Sequence, residues 1–411
     1  MAEASLKLGG DWATKEGSLL GFNDQNGNYK PIPFDFTRAT TATRVNRDGL
    51  IEEVQEGVPR IDFSSGDGSL LLEPQRTNSI TYSEDFSNGS WIKSGDVTLT
   101  SNYGISPEGY QNADRIVANA TAGGHIVYRN ISTTGTHTIS IFAKASGYNY
   151  IFFGYDGGSL NFGIVFNLSN GTISQNPAGL NGDIEAIGSD GWYRCSLTFN
   201  YSTTGYFFVV SPHDNSGAYV WTGNGTDGIL IYGAQIEYNS SYPTSYIKTS
   251  GSAVTRNADV CNNAQTTFND SEGVLYAEIV ALADDLTNRD IAISDGTGNN
   301  RVFIYYSTTS NQIVGRVRVS NADVALLTYT LTDITNYTKI ALKYKANDFA
   351  LWIDGIERAT DTSGGVFGAN TLTTLAFDAG EGSNDFYGNC KEVRVYNTAL
   401  TDTELQELTT I

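Results

Sequence analysis

The sequence predicts an all-β fold: multi-domain β-sandwich or jelly-roll modules, with an extended N-terminal anchoring region and one short C-terminal helix. Three observations predict it. Short apolar alternations of period two recur along the chain, separated by Thr, Ser, Asn and Gly, as in half-buried strands joined by turns. Glycine (44 residues) far outnumbers proline (8), and aromatic residues reach 12%, a composition suited to pleated surfaces and tight connections. Few stretches sustain an apolar 3.6-residue period long enough for a helix.

At 411 residues the chain has room for two or three domains, each with its own core. Three segments separate. In the first, residues 1–78, Asn46-Arg47-Asp48-Gly49 reads as a hairpin turn between Ala42–Val45 and Leu50–Val54. Glycine supplies the positive φ that such a turn needs. Pro31 and Pro33 hold the stretch before them extended. The apolar pattern is too broken for an independent core, so this region is expected to pad the next domain or dock onto a partner.

The second segment, residues 79–257, offers strands at His137–Lys144, Tyr148–Tyr155, Gly163–Leu168, Trp192–Phe199, Tyr206–Val210 and Gly228–Tyr238. Their spacing suits a two-sheet sandwich. Asn170-Gly171 reads as a two-residue hairpin turn between Phe166 and Ile173. Trp91 and Trp192 read as packing anchors, and Ser240–Arg256 as a polar, extended linker.

The third segment, residues 258–411, opens with Gly273–Ala281 and continues through Arg289–Ser294, Arg301–Tyr306, Gln312–Val319, Thr338–Tyr344 and Asp348–Ile353. Asp354-Gly355 turns the chain back into Ile356–Thr360, with Leu351 and Ile353 on one face and Trp352 on the other. Val393 and Val395 alternate with Glu392, Arg394 and Tyr396 in a final strand. Thr401 then precedes Glu404 by three residues, a capping-box pair that starts the helix.

The formal net charge of −20 argues against a duplex nucleic acid partner, because phosphate binding needs a concentrated Lys/Arg face. It reads more simply as protection of a strand-rich protein against random association. No run approaches transmembrane length, and Met1–Lys7 leads into polar Gly9–Lys15 without the apolar core of a secretory signal. Cys195, Cys261 and Cys390 are too few and too widely spaced for a metal site or a disulfide framework. Cys195 and Cys390 sit in strand patterns as small apolar residues. Asn-x-Ser/Thr triplets such as Asn130–Ser132 and Asn336–Thr338 reflect composition, and folding in a reducing cytoplasm is expected.

A catalytic reading lacks its parts. The histidines, His125, His137 and His213, all fall in the second segment, which disfavours a histidine-based lyase or hydrolase in the third. No alternating carboxylate pair of the glycosidase kind appears on a strand, and Asp348 with Asp354 is better explained by turn formation. No Gly-x-Ser-x-Gly elbow, phosphate loop or His-Glu-x-x-His occurs. The sequence is therefore read as non-enzymatic. Asp284–Asp290 and Asp295–Asn300 are loops rich in oxygen ligands, solvated acids in the simpler reading and a structural calcium site in the other.

Sugar binding needs aromatic faces against pyranose C–H faces, with polar side chains on the hydroxyls. The best cluster is Ser211–Gly228, which places His213, Asp214, Asn215, Tyr219 and Trp221 on or beside one polar loop. Tyr219 and Trp221 are two apart, so on an extended strand they would share a face. The competing reading is that Trp221 caps the sandwich core and the loop merely connects.

Two resemblances accompany these readings. The opening apolar strand of the third segment, the Trp352–Gly355 hairpin and the closing VRVYNTALTDTEL resemble the laminin-G-like, concanavalin-A-like jelly roll; such domains sometimes carry calcium. FDFTRATTATRVNRDGLIEEV (Phe34–Val54), PRIDF with GSLLLEPQRTN (Pro59–Asn78), SDGWYRCSLTF (Ser189–Phe199), GAQIEYNSSYPTSYIKT and VTRNAD (Gly233–Asp259) are similar to phrases in tailed-bacteriophage fibre, spike and decoration proteins. That resemblance implies a structural protein of the virion surface, made in the host bacterial cytoplasm. It further implies a homo-oligomer, a trimer foremost, mounted on other virion proteins through its N-terminal region and presenting modules to host surface glycans. Two alternatives stay open: a depolymerase of capsular polysaccharide, and an architectural virion protein with no ligand.

Overall fold

A computed structural model describes residues 3–10, 12–23, 30–131, 133–156, 158–201 and 206–411. Residues 24–29 of the stretch before Pro31, Met1 of the opening segment and Ser132 of the Asn130–Ser132 triplet lie outside the described residues. The regular structure is nearly all β, with one α-helix among the described residues, Asp402–Thr409. The chain forms two compact units instead of three: a first unit of Met1–Thr41, Val54–Gln75 and Asn257–Ile411, and a second of Ala42–Glu53 and Arg76–Arg256.

The first unit corrects the expectation of a separate region over residues 1–78. Leu6–Gly9 pairs antiparallel with Gly388–Tyr396, and the latter also pairs with Glu272–Ala281 and with Ser69–Leu72. Ser18–Asn23 and Lys30–Thr37 extend the same sheet, and Val260–Asn262 closes that edge. Facing it is a sheet ordered Ala264–Gln265, Thr374–Ala376, Arg289–Ser294, Arg301–Tyr306, Gln312–Val319 and Ala322–Thr330. One apolar core joins N-terminal Leu6, Leu8, Phe34, Phe36, Leu70 and Leu72 to Leu275, Ile304, Leu342, Leu351, Val393 and Val395. The first segment was hard to place because its apolar residues complete a core whose other half lies some two hundred residues along the chain.

Charged residues from those phrases are buried here as well. Arg60 bonds Glu73 (2.6 Å) and Asp259, and Arg38 bonds the other oxygen of Asp259 (3.0 Å). The Asp259 N–H donates to the Glu73 carbonyl (3.0 Å), and the Glu73 N–H returns a bond to the Asp259 carboxylate (2.9 Å). Arg38 spends its remaining donors on the carbonyls of Thr40 and Gln55. Burial alone would lower the Arg60 pKa, but its two carboxylate partners more than reverse this and raise it. Glu73 and Asp259 thus tie together the two points where the chain leaves and re-enters this unit around residues 76–256.

Asp354 and Gly355 both have positive φ and join Ile353 to Ile356 in a two-residue turn. Trp352 faces away from Leu351 and Ile353, joining Leu405 and Leu408 of the helix in a smaller apolar cluster. Thr401 and Glu404 cap that helix reciprocally.

In the second unit, a sheet ordered Ile92–Lys93, Val127–Ile131, Tyr206–His213, Tyr150–Gly154, Gly163–Asn167 and Thr172–Gln175 faces another. That other is ordered Val97–Gly104, Ala113–Ala118, Gly228–Tyr238, Gly135–Ser146, Trp192–Tyr201 and Asn181–Ile187. Ile116, Ile139, Ile141, Ile151, Phe153, Cys195, Leu197 and Ile231 fill the space between. Trp91 is in this core, while Trp192 is buried on the far side of its sheet with its N–H on the Ile105 carbonyl.

Two expectations change. Phe166 is opposite Ile173, but the chain loops through four residues because Asn167 still pairs with Thr172. Ser240–Arg256 is not a loose linker: Tyr242, Tyr246 and Ile247 are buried, and Gln235 and Asn78 bond its backbone. Its serines and threonines hide that role, because they are buried on hydrogen bonds: Thr244 on Glu237, and Thr249 on Ser83 and the Ile80 carbonyl.

Candidate functional site

The loop after Tyr206–His213 is where sugar chemistry was sought, and the structure divides its residues into two groups. His213 and Trp221 are buried. Trp221 packs edge-on against His125 (4.6 Å between centroids), Tyr148 (5.0 Å) and His213 (6.2 Å). Its short strand, Trp221–Thr222, pairs with Ala122–Gly123. His213 Nδ1 accepts from the Asn215 N–H (2.9 Å), which leaves the proton on Nε2 to donate to the Ala218 carbonyl (3.1 Å). Burial lowers its pKa, so the ring is neutral near pH 7. Both residues build the loop and neither faces solvent.

Tyr219 behaves differently. Residues 214–220 are not strand, so Tyr219 and Trp221 do not share a face. Tyr219 is only partly buried and lies edge-on over Phe152 (5.6 Å). It shelters an apolar patch of Phe152, Val165 and Val209 on the outer side of the sheet. That patch follows from strand alternation: Ile151 and Phe153 point into the core, so Phe152 must point out. A Cβ at Gly124 would lie 2.9 Å from the Tyr219 ring, so only glycine leaves room for it there.

Tyr219 lines a groove of about 590 Å³ together with Leu160, Asn161, Gln175, Asn176 and Pro177. Asn215, in the left-handed region (φ 63°), accepts from Ser174 Oγ (2.8 Å) and Gln175 Nε2 (2.6 Å), pinning the loop to the edge strand. Asn176 is bonded in both directions to the Leu180 backbone. The exposed Asn161 side-chain amide makes no hydrogen bond to a described residue, and the Asp214 carboxylate accepts from the Ser216 N–H of its own turn (3.0 Å). Of the expected residues, Tyr219 therefore lines the groove, Asn215 braces it, Asp214 stands exposed nearby, and His213 and Trp221 lie beneath. Leu160, Asn161, Gln175 and Pro177 were not anticipated. They come from the short turn of helix at Leu160–Phe162 and from at and just after the end of the edge strand Thr172–Gln175, and only their composition could have flagged them.

The oxygen-rich loops of the first unit are engaged internally. Asp295 accepts from Thr297 N–H (2.8 Å) and Oγ1 (2.6 Å) with one oxygen and from Asn300 (2.8 Å) with the other. Burial opposes its ionisation, yet these bonds hold its pKa below the usual value. Asp285 is bonded to Thr287 and to Arg289 (2.9 Å). No group of three or more His, Cys, Asp or Glu among the described residues is arranged to hold a metal ion.

Asp290 is the exposed loop's opposite. Its carboxyl is buried with Oδ1 unpartnered, and burial raises its pKa to about 7 against the partly offsetting charge of Arg301. A raised acid pKa means that the folded state holds the proton longer than the unfolded chain. Its stabilising effect is complete below pH 3.8 and lost as pH rises through about 7. Asp290→Asn is expected to raise stability at pH 8 by a few kcal/mol, on the order of 1.4 per pKa unit, and to leave it unchanged at pH 3.5. Chemical denaturation at the two pH values checks this; equal effects at both would refute it.

A family model of the concanavalin A-like lectin/glucanases superfamily matches residues 278–406, within the first unit, whose C-terminal part is a laminin-G-like, concanavalin-A-like jelly roll. No curated protein matches the chain. Among solved structures, the chain is similar to the CBM40 of the Ruminococcus gnavus IT-sialidase bound to α2,3-sialyllactose, at 14% identity. The match covers 36% of this chain and 93% of that one, with a TM-score of 0.30. Domain 4 of the Geobacillus stearothermophilus arabinanase AbnA, in complex with arabinotriose, matches at 13% over 42% and 84%, TM-score 0.30. Domains LG4-5 of the mouse laminin α1 chain match at 10% over 76% and 96%, TM-score 0.26.

Proposed function

We propose that the protein is a non-enzymatic adhesin that binds glycan in the Tyr219 groove of its second unit. The observation that carries this reading is the groove itself: a fixed aromatic wall beside proline, leucine and side-chain amides, part of them unengaged. An aromatic wall suits the C–H face of a sugar ring, and amides both donate to and accept from hydroxyls. The phrases shared with tailed-bacteriophage appendages extend the proposal to a virion-surface protein, a head or tail fibre, spike or decoration protein. It would act as a homo-oligomer, a trimer foremost, and meet host surface glycans. Mounting on other virion proteins would then fall to the first unit, which contains the N-terminal strands.

A glycan array with the wild type and Tyr219→Ala tests the binding. Loss of the aromatic wall is expected to weaken binding at least tenfold, about 1.4 kcal/mol. Gly124→Ala, which displaces the tyrosine without removing it, is expected to weaken the same binding less. Capsular polysaccharide incubated with the protein should keep its chain length; shortening would favour the depolymerase. Absence of binding to any sugar would favour a purely architectural role. Labelling of particles with an antibody to this chain tests the virion placement.

A further inference from the structure

We infer that the Tyr219 groove takes neutral saccharides, bearing hydroxyl groups and no carboxylate, sulfate or phosphate; this deepens the glycan reading and rests on it. The groove is lined by Tyr219, Leu160, Asn161, Gln175, Asn176 and Pro177 with small residues between them, and by no charged side chain among the described residues. Sugar acids are gripped by arginine forks or lysine ammonium groups. Four cations of this unit are engaged with other groups. Arg129 bonds Ser90 and Thr81, Arg115 bonds Ser146 and Thr226, Arg194 lies over Phe142, and Lys248 pairs with Glu84.

Beside the lining, the charges that act on its residues are negative. Asp214 is exposed beside Asn215, the residue that holds Gln175. Asp156 and Asp96 act on the Tyr219 hydroxyl, adding to the burial that raises its pKa. An anionic sugar would enter against like charge with nothing to pair its own. Hydroxyls meet no such cost, and the Asn161 amide offers them both a donor and an acceptor.

The test compares neutral glycans with their uronate-, sialate- or sulfate-bearing counterparts, on wild type, Tyr219→Ala and Asn161→Lys. The expected result is Tyr219-dependent binding of neutral glycans, insensitive to added salt, with acidic counterparts bound at least tenfold more weakly. Asn161→Lys should narrow that gap by introducing a cation. Wild-type binding of acidic glycans as tightly as neutral ones, lost in Tyr219→Ala, would overturn the neutral preference and leave the glycan site standing. An unchanged gap in Asn161→Lys would overturn the electrostatic basis of the preference. Failure of every glycan, neutral or acidic, would remove both the site and the inference.

Discussion

Replacing Arg60 with methionine is expected to destabilise the first unit by about 3–5 kcal/mol, the usual cost of orphaning one side of a buried ion pair. Arg60 is wholly buried between Glu73 and Asp259. Its removal leaves two carboxylates facing each other's field, with Arg38 as the remaining cation on Asp259. Urea denaturation followed by Trp fluorescence measures the loss. A change below about 1 kcal/mol, the value of an exposed pair, would show that the network contributes little. Replacing Glu73 by glutamine in the same variant should recover part of the loss, since it removes the carboxylate that Arg60 leaves stranded.

Residues 257–411 expressed alone are expected not to fold, although the matched family region, residues 278–406, lies within them. Leu6, Leu8, Leu19, Ile32, Phe34, Phe36, Ile61, Leu70 and Leu72 all come from the other part of the chain and sit in the same core. At about 1.5–3 kcal/mol for each buried side chain, their absence forfeits roughly 14–27 kcal/mol. A domain's entire margin is about 5–15 kcal/mol. The fragment would also leave Gly388–Tyr396 without two of its three partner strands. Near-ultraviolet circular dichroism and a thermal melt decide the matter. A cooperative transition in the isolated fragment would contradict the shared core, whereas rescue by added residues 1–75 would support it.

The strands of the sandwiches were legible where short apolar runs are bounded by Gly, Asn, Ser and Asp, as in Gly228–Tyr238, Arg289–Ser294 and Arg301–Tyr306. The Asp354-Gly355 turn and the Thr401–Glu404 cap were legible because their chemistry is local. What escaped was non-local. Arg38, Arg60, Glu73 and Asp259 look like surface charges in sequence, since nothing near any one of them reveals its partner. The site was half legible for the same reason. Tyr219 and Trp221 are two residues apart, but the absence of strand at 214–220 sends one to the groove and the other beneath it. Other lining residues come from 160–177, which no spacing rule connects to the loop.

The pairing of Leu6 with Val395 and of Gly9 with Glu392 gives the first unit a mechanical property. Tension entering through these two strands meets their shared ladder before it can reach residues 76–256, which depart from and rejoin the chain at Glu73 and Asp259. Because the strands run antiparallel, a pull that separates Leu6 from Val395 loads the rungs one after another and unzips them.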